Sequence, residues 1–292
     1  MKITYPSLAL FYRYVDRVND RRVKEAPPWD KYAPLLDEPY GEGEARVFDL
    51  FRAPPEKRKD VLLILVHGGY YIRGRHRDSY PFAFTFLEEG FDVASVEYRT
   101  DGKGVGMRDK INDVAEFLRY LFSSLEKFGL DGEKRFFISG DSAGGHLALI
   151  NAEGVCDPGI GIDLRGVRLN GVLLNCPSYD FAAYRDVREL SRGMKKRMLG
   201  KDYTERGTLE RVSPRTYIAS IGVPVFVSTC KNDFLREGVL RLRDDLDRFG
   251  KDYGWVDVDE DDKKVAHVHN VIRPDLPASV RVNRAMMDFM LA

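Results

Sequence analysis

A serine hydroxyl becomes a nucleophile only where a base takes its proton and a third group orients that base. In this chain the strongest candidate is Ser142, at the centre of Gly140-Asp141-Ser142-Ala143-Gly144, a G-x-S-x-G pentapeptide. The aromatic, apolar run Phe136-Phe137-Ile138 before it reads as a buried strand, and Ala143 to Leu149 reads as the start of a helix. A strand-to-helix turn this short strains the serine backbone and lifts its hydroxyl above the sheet. Glycines two residues to either side keep side chains from striking the neighbouring strand and helix. The chemistry this points to is acyl transfer through a serine.

Such chemistry needs a base, an acid and donors for the charge that develops on the substrate oxygen. Of the five histidines, His67 lies in a glycine loop, His76 in the charged stretch RGRHRD, and His146 in the helix after Ser142. The loop Ala266-His267-Val268-His269-Asn270, after the last expected strand, holds the other two. Asp233 follows the apolar run VPVFVST and the short turn Cys230-Lys231-Asn232. An isolated aspartate there would ordinarily cap a helix. Its place between the serine and the late histidines gives the Ser-Asp-His order of a strand-turn-helix hydrolase. Directly after VLLILV comes His67-Gly68-Gly69-Tyr70-Tyr71-Ile72-Arg73-Gly74. Consecutive glycines let backbone approach an oxyanion closely, so the amides of Gly68, Gly69 and Ala143 are the expected donors. Losing one such donor typically costs about 3 kcal/mol of transition-state stabilisation.

The surrounding elements are those of a doubly covered sheet. Leu8, Phe11, Tyr12, Val15 and Val18 recur at helical spacing, and Pro27, Pro28 and Pro34 then break the pattern into an irregular segment. Strands are expected at 46–52, 61–66, 91–98, 171–175, 223–229 and 253–258, with helices over 82–89, 107–128 and 278–291. Their alternation predicts one α/β domain spanning 1–292, with a mainly parallel sheet and helices on both faces. Residues 1–40 and about 180–212 are expected to form a small helical lid. Within the latter, Tyr184, Val187, Leu190, Met194 and Met198 line one apolar face of a helix over 184–199.

Composition removes other classes. Lys+Arg and Asp+Glu both number 46 in 292 residues, so nothing draws the chain to nucleic acid or an anionic membrane. No apolar run is long enough to span a bilayer, and the N-terminal stretch has too short an apolar core for a signal peptide. Cys156, Cys176 and Cys230 show no paired spacing and read as buried free thiols of a cytoplasmic protein. Asp257 to Asp262 lacks the glycine and glutamate of a calcium loop, and His267-Val268-His269 has no companion ligand at metal-site spacing. Gly102 to Gly106 is not a dinucleotide fingerprint. The expectation is no metal and no cofactor.

HGGYYIRG, GDSAGG, NDFLRE and the late histidine loop together resemble the α/β-hydrolase esterases of the hormone-sensitive-lipase-like branch and their acetyl-esterase relatives. The resemblance covers about residues 45–292. It implies Ser142 as nucleophile, Asp233 as orienting acid and His267 as base, with Gly68 and Gly69 in the oxyanion hole. Two departures bear on the pocket. Tyr70 stands where larger members often carry a third glycine, and His269 where the family usually has an aromatic. Tyr70, Tyr71 and His269 are therefore expected at the substrate, in a narrow pocket favouring short acyl chains. The implied partner is a small ester, and a homodimer is left open. An amidase or formamidase, or a carbohydrate acetyl esterase, would share these residues. A non-catalytic binding protein on the same fold would be expected to have lost part of the triad.

Overall fold

The computed structural model describes residues 29–100, 105–186, 188, 190–201, 203–205 and 207–292. The expected N-terminal helix around Leu8 to Val18 lies outside the described residues, as do Val187 and most of the 102–106 loop. Strands β1 (Leu35–Pro39), β2 (Val47–Phe51), β3 (Val61–Val66), β4 (Asp92–Val96), β5 (Arg135–Asp141), β6 (Gly171–Asn175), β7 (Val225–Cys230) and β8 (Tyr253–Val258) form one sheet in the order β1-β2-β4-β3-β5-β6-β7-β8. The β1–β2 and β2–β4 pairs are antiparallel, and the other pairings are parallel.

Helices α1 (Tyr80–Leu87), α2 (Met107–Ser123), α3 (Ala143–Cys156), α4 (Arg192–Leu199), α5 (Arg236–Arg248), α6 (His269–Ile272) and α7 (Pro277–Leu291) complete the chain. Strand β3 shows why both faces need cover. Leu62, Ile64 and Val66 join the cluster beneath α2 and α3, whereas Val61, Leu63 and Leu65 join the one beneath α1 and α7. A strand buried on both faces reads as an uninterrupted apolar run, which is how VLLILV stands out in the sequence. None of the described helices is long and apolar enough to cross a membrane.

Three expectations change. Residues 35–39 are neither irregular nor part of a lid: they form edge strand β1, paired to β2 with a register shift. An edge position tolerates Pro39 because its missing N–H costs no ladder bond. Helix α2 stops at Ser123 instead of continuing to Phe128; the chain then turns, with Gly129 at φ +56°. The 184–199 segment is not one helix. A 3-10 turn at Phe181–Asp186 is followed by α4, which Ser191 starts afresh by accepting the Met194 N–H (3.2 Å). Leu190, Met194 and Met198 are buried as their spacing implied, and Tyr184 is half-buried.

Helix α3 carries one uncompensated group. Glu153 is buried, and both its carboxylate oxygens lack hydrogen-bond partners. Burial pushes its pKa well above the usual 4.5, so it sits in the core as a neutral acid. Burying a polar group without a partner costs about 1–3 kcal/mol. Replacing Glu153 with Leu should therefore stabilise the protein by roughly that amount in urea unfolding at pH 7. The sign with pH is fixed. A carboxyl whose folded pKa is raised favours the folded state most below the unfolded value of 4.5 and penalises it increasingly above. The advantage of Glu153→Leu should widen from pH 4.5 upward. A variant no more stable than the parent at pH 7 would contradict this.

Candidate active site

The strand ends on one side of the sheet present the chemistry, as parallel α/β sheets generally do. Between β5 and α3, Ser142 adopts φ 53°, ψ −115°, a strained conformation for a residue with a side chain. The flanking glycines permit the turn. A Cβ on Gly140 would meet the Gly144 carbonyl oxygen at 2.2 Å, and one on Gly144 would meet the Val66 oxygen at 2.0 Å. The turn is tied sideways by Ser142 N–H donating to Asn175 O (2.9 Å) and Ser178 N–H donating to Ser142 O (3.0 Å).

The loops after β7 and β8 bring the other two groups to that hydroxyl. Asn232 and Ala266 form a parallel bridge, and Asn232 Nδ2 donates to Asp262 O (3.2 Å) and Val265 O (3.0 Å). This seats His267 against Asp233. His267 Nδ1 donates to Asp233 Oδ1 at 2.6 Å, and its Nε2 lies 2.9 Å from Ser142 Oγ. The acid is itself oriented: Leu235 N–H donates to Oδ1 and Thr229 Oγ1 to Oδ2, both at 2.9 Å. Burial alone would raise the Asp233 pKa, but the His267 hydrogen bond and charge, with these two donors, hold it below the usual carboxylate value. The carboxylate stays ionised, as the orienter of an imidazole must be.

Several expected site residues stand elsewhere. His269 is not at a pocket. It is buried, its Nδ1 donating to Ser279 Oγ of α7 (2.8 Å), while the Ser279 hydroxyl donates to His269 O (3.2 Å). Burial pushes its pKa down to about 4, so it is a neutral packing group. Val268, with left-handed φ 52°, turns the chain between the two histidines and aims their side chains apart. Tyr71 is also a core residue, packed edge-on against His146 and Phe181. Tyr70, by contrast, stays beside the triad: half-exposed, it stacks on Phe234, centroids 6.1 Å apart, and Phe234 lies against the His267 ring.

The glycine loop holds a further correction. The Gly68 amide is already engaged, donating to Asp141 Oδ1 at 3.1 Å, and a Cβ at Gly68 would strike Asp141 Oδ2 at 2.4 Å. Gly68 is a glycine because Asp141 lies against it. Burial raises the Asp141 carboxyl to about 6 against the opposing charges of His67 and His267 and the Gly68 amide. The Gly69 and Ala143 amides, by contrast, have no acceptor among the described residues.

Other residues escaped sequence reasoning. Phe234, 59% exposed despite its size, lies against the His267 ring at 4.2 Å. With Tyr179, Tyr184, Leu235, Asp180 and Arg241 it lines a cleft of about 140 Å³ beside the triad. Its position directly after Asp233 was the available signal. Cys176 Sγ accepts the Val268 N–H (3.3 Å) and lies within 4.8 Å of ligand atoms of Asp233 and His267. His146 is stacked on Phe181 (4.9 Å) and donates to Val212 O (2.6 Å), tying α3 to the 181–212 segment. Burial holds its pKa near 4, so the ring is neutral.

A family model described as BD-FAE matches residues 48–236. The chain is similar to Esterase LipQ of Mycobacterium tuberculosis, 26% identical over 210 residues, covering 68% of this chain and 49% of that protein. It is also similar to Kynurenine formamidase of Danio rerio, 32% identical over 116 residues, covering 39% of this chain and 37% of that protein. The chain thus spans about half the length of the first of these relatives and less of the second. Among solved structures, Esterase B from Lactobacillus rhamnosis, inhibited by a C4-C4 SN3 tributyrin phosphonate, superposes with a TM-score of 0.83 at 18% identity, covering 98% of this chain and 93% of that one.

Proposed function

The chain belongs to the BD-FAE family, and from that premise we propose that it is a serine carboxylesterase that cleaves short-chain acyl esters through an acyl-enzyme. The observation that carries this reading is the unbroken chain of hydrogen-bonding distances from Asp233 through His267 to Ser142 Oγ, 2.6 and 2.9 Å. His267 takes the Ser142 proton as Oγ attacks the ester carbonyl, and the Gly69 and Ala143 amides receive the oxyanion. The imidazolium, held by ionised Asp233, protonates the departing alcohol. Water enters, gives its proton to His267, and attacks the acyl carbon. The freed acid leaves Ser142 with its proton restored. Each step is carried by protein groups.

Bulky rings stand close to the base, Phe234 against His267 and Tyr70 stacked on Phe234, which supports short acyl groups. The tributyrin phosphonate held by the structurally similar Esterase B points the same way. In this reading residues 181–212 act as a small cap, fastened to the nucleophile helix through His146. With p-nitrophenyl esters, kcat/KM should be at least tenfold higher for acetyl or butyryl than for decanoyl. A preference for decanoyl would overturn the short-chain assignment. The similarity to Kynurenine formamidase favours one alternative, an amidase acting with the same residues. Rates on an N-formyl anilide and the matched phenyl ester separate the two.

A further inference from the structure

The loop bearing the Gly69 amide begins at His67 and ends at His76, and both rings converge on one carboxylate outside the triad. Glu97 follows β4, the strand alongside β3. Its Oε1 accepts from His67 Nε2 at 3.1 Å. Its Oε2 accepts both the His76 side chain, from Nδ1 at 2.8 Å, and the His76 backbone N–H at 3.0 Å. The remaining ring nitrogens also face oxygen: His67 Nδ1 donates to Gly68 O (2.7 Å), and His76 Nε2 lies 2.8 Å from Asp49 Oδ2 of β2. With both His67 nitrogens on acceptors, and His76 bonded to Glu97 through Nδ1 with Nε2 close to Asp49, the surroundings favour the doubly protonated rings. Burial opposes these charges, yet the carboxylates prevail: His67 is raised above its usual value, His76 reaches about 9, and Glu97 is held well below the ordinary carboxylate range.

Between these anchors the loop makes one turn of its own, the Ile72 and Arg73 N–H groups donating to Gly69 O (3.2 and 3.1 Å), around a strained backbone. Gly69 (φ +126°), Tyr70 (φ +55°), Tyr71 (φ +65°) and Gly74 (φ +97°) all lie at positive φ, and for the two tyrosines that conformation is strained. Strained backbone persists only where its surroundings over-determine it. Here the surroundings include the His67 ring stacked on Tyr98 (4.3 Å) and the Tyr98 hydroxyl donating to His67 O (2.9 Å). Among the described residues the Glu97 carboxylate bonds both ends of the loop, His67 through Oε1 and His76 through Oε2.

We propose that Glu97 is the positioning residue of the oxyanion loop, one carboxylate that grips His67 and His76 and so holds the Gly69 amide where the substrate oxyanion forms. The assignment rests on the serine-esterase reading above. Its action should be felt in the transition state and not in substrate binding, because a donor displaced from the oxyanion loses stabilisation that the ground-state ester never received.

The test compares wild type with Glu97→Gln, which keeps the shape and removes the charge. On p-nitrophenyl acetate, kcat should fall about 30- to 100-fold with KM within threefold. Affinity for a trifluoromethyl ketone, which forms a tetrahedral adduct on the serine oxygen, should fall by a similar factor. His76→Gln releases one end only and should lose about tenfold in kcat, which keeps the test available if Glu97→Gln does not fold. Labelling of wild type by a fluorophosphonate probes the underlying reading separately. An unlabelled wild type without esterase activity would overturn both readings. A labelled, active wild type alongside variants that keep kcat within threefold, or that lower Tm without weakening the ketone, would overturn the Glu97 assignment alone.

Discussion

Ser142→Ala should lower kcat on p-nitrophenyl acetate by about a millionfold, to the level left by binding and the oxyanion donors. Nothing else in the cluster can substitute. The only hydroxyl oxygen in hydrogen-bonding range of His267 Nε2 among the described residues is Ser142 Oγ. The fold should be preserved. The backbone of residue 142 is held by Asn175 and Ser178 through main-chain bonds that alanine keeps, and alanine is no more crowded than serine at the same φ. Thermal unfolding followed by circular dichroism should therefore shift little. Residual activity within a hundredfold of wild type would overturn the nucleophile assignment.

The second large effect separates two neighbouring histidines. His267→Ala removes the only base within reach of Ser142 among the described residues and should cost about 10⁴- to 10⁶-fold in kcat as its main effect, with a smaller loss of stability from the Asp233 carboxylate it leaves unpaired. His269→Ala should do the reverse. It empties a buried ring that packs against α7 and removes the Nδ1 donor to Ser279 Oγ, costing about 2–4 kcal/mol in denaturant unfolding while kcat stays within about tenfold. Measuring both quantities on both variants makes the contrast decisive. If His269→Ala abolished turnover and His267→Ala did not, the base would be His269.

These contrasts mark how far the residues alone could be read. The runs VLLILV and GVLLN declare themselves because a strand buried on both faces has no polar interruption, and they correspond to β3 and β6. The nucleophile turn was legible because its constraint is local: Gly140 and Gly144 lie two residues from Ser142 and collide with that turn's own neighbours. Strand β1 was not, since LLDEP at a sheet edge alternates weakly and relies on β2 to be a strand at all. The histidines were separable only in space, because the left-handed Val268 decides which ring faces Ser142 and no periodicity encodes that turn. The Gly68 amide and the grip of Glu97 on His67 and His76 depend on side chains up to 73 residues apart, so no window along the chain contains them.

The backbone at residue 142 also restricts which amino acids could ever serve there. At φ 53°, ψ −115° the backbone lies outside even the left-handed region that Val268 occupies, and a β-branched side chain is strongly disfavoured there, so threonine, whose hydroxyl is chemically as able as serine's, would strain the turn further. Cysteine, unbranched at Cβ, would not. The repertoire of attacking atoms at this position is thus narrowed toward an unbranched oxygen or sulfur by the shape of the main chain, before reactivity has any say.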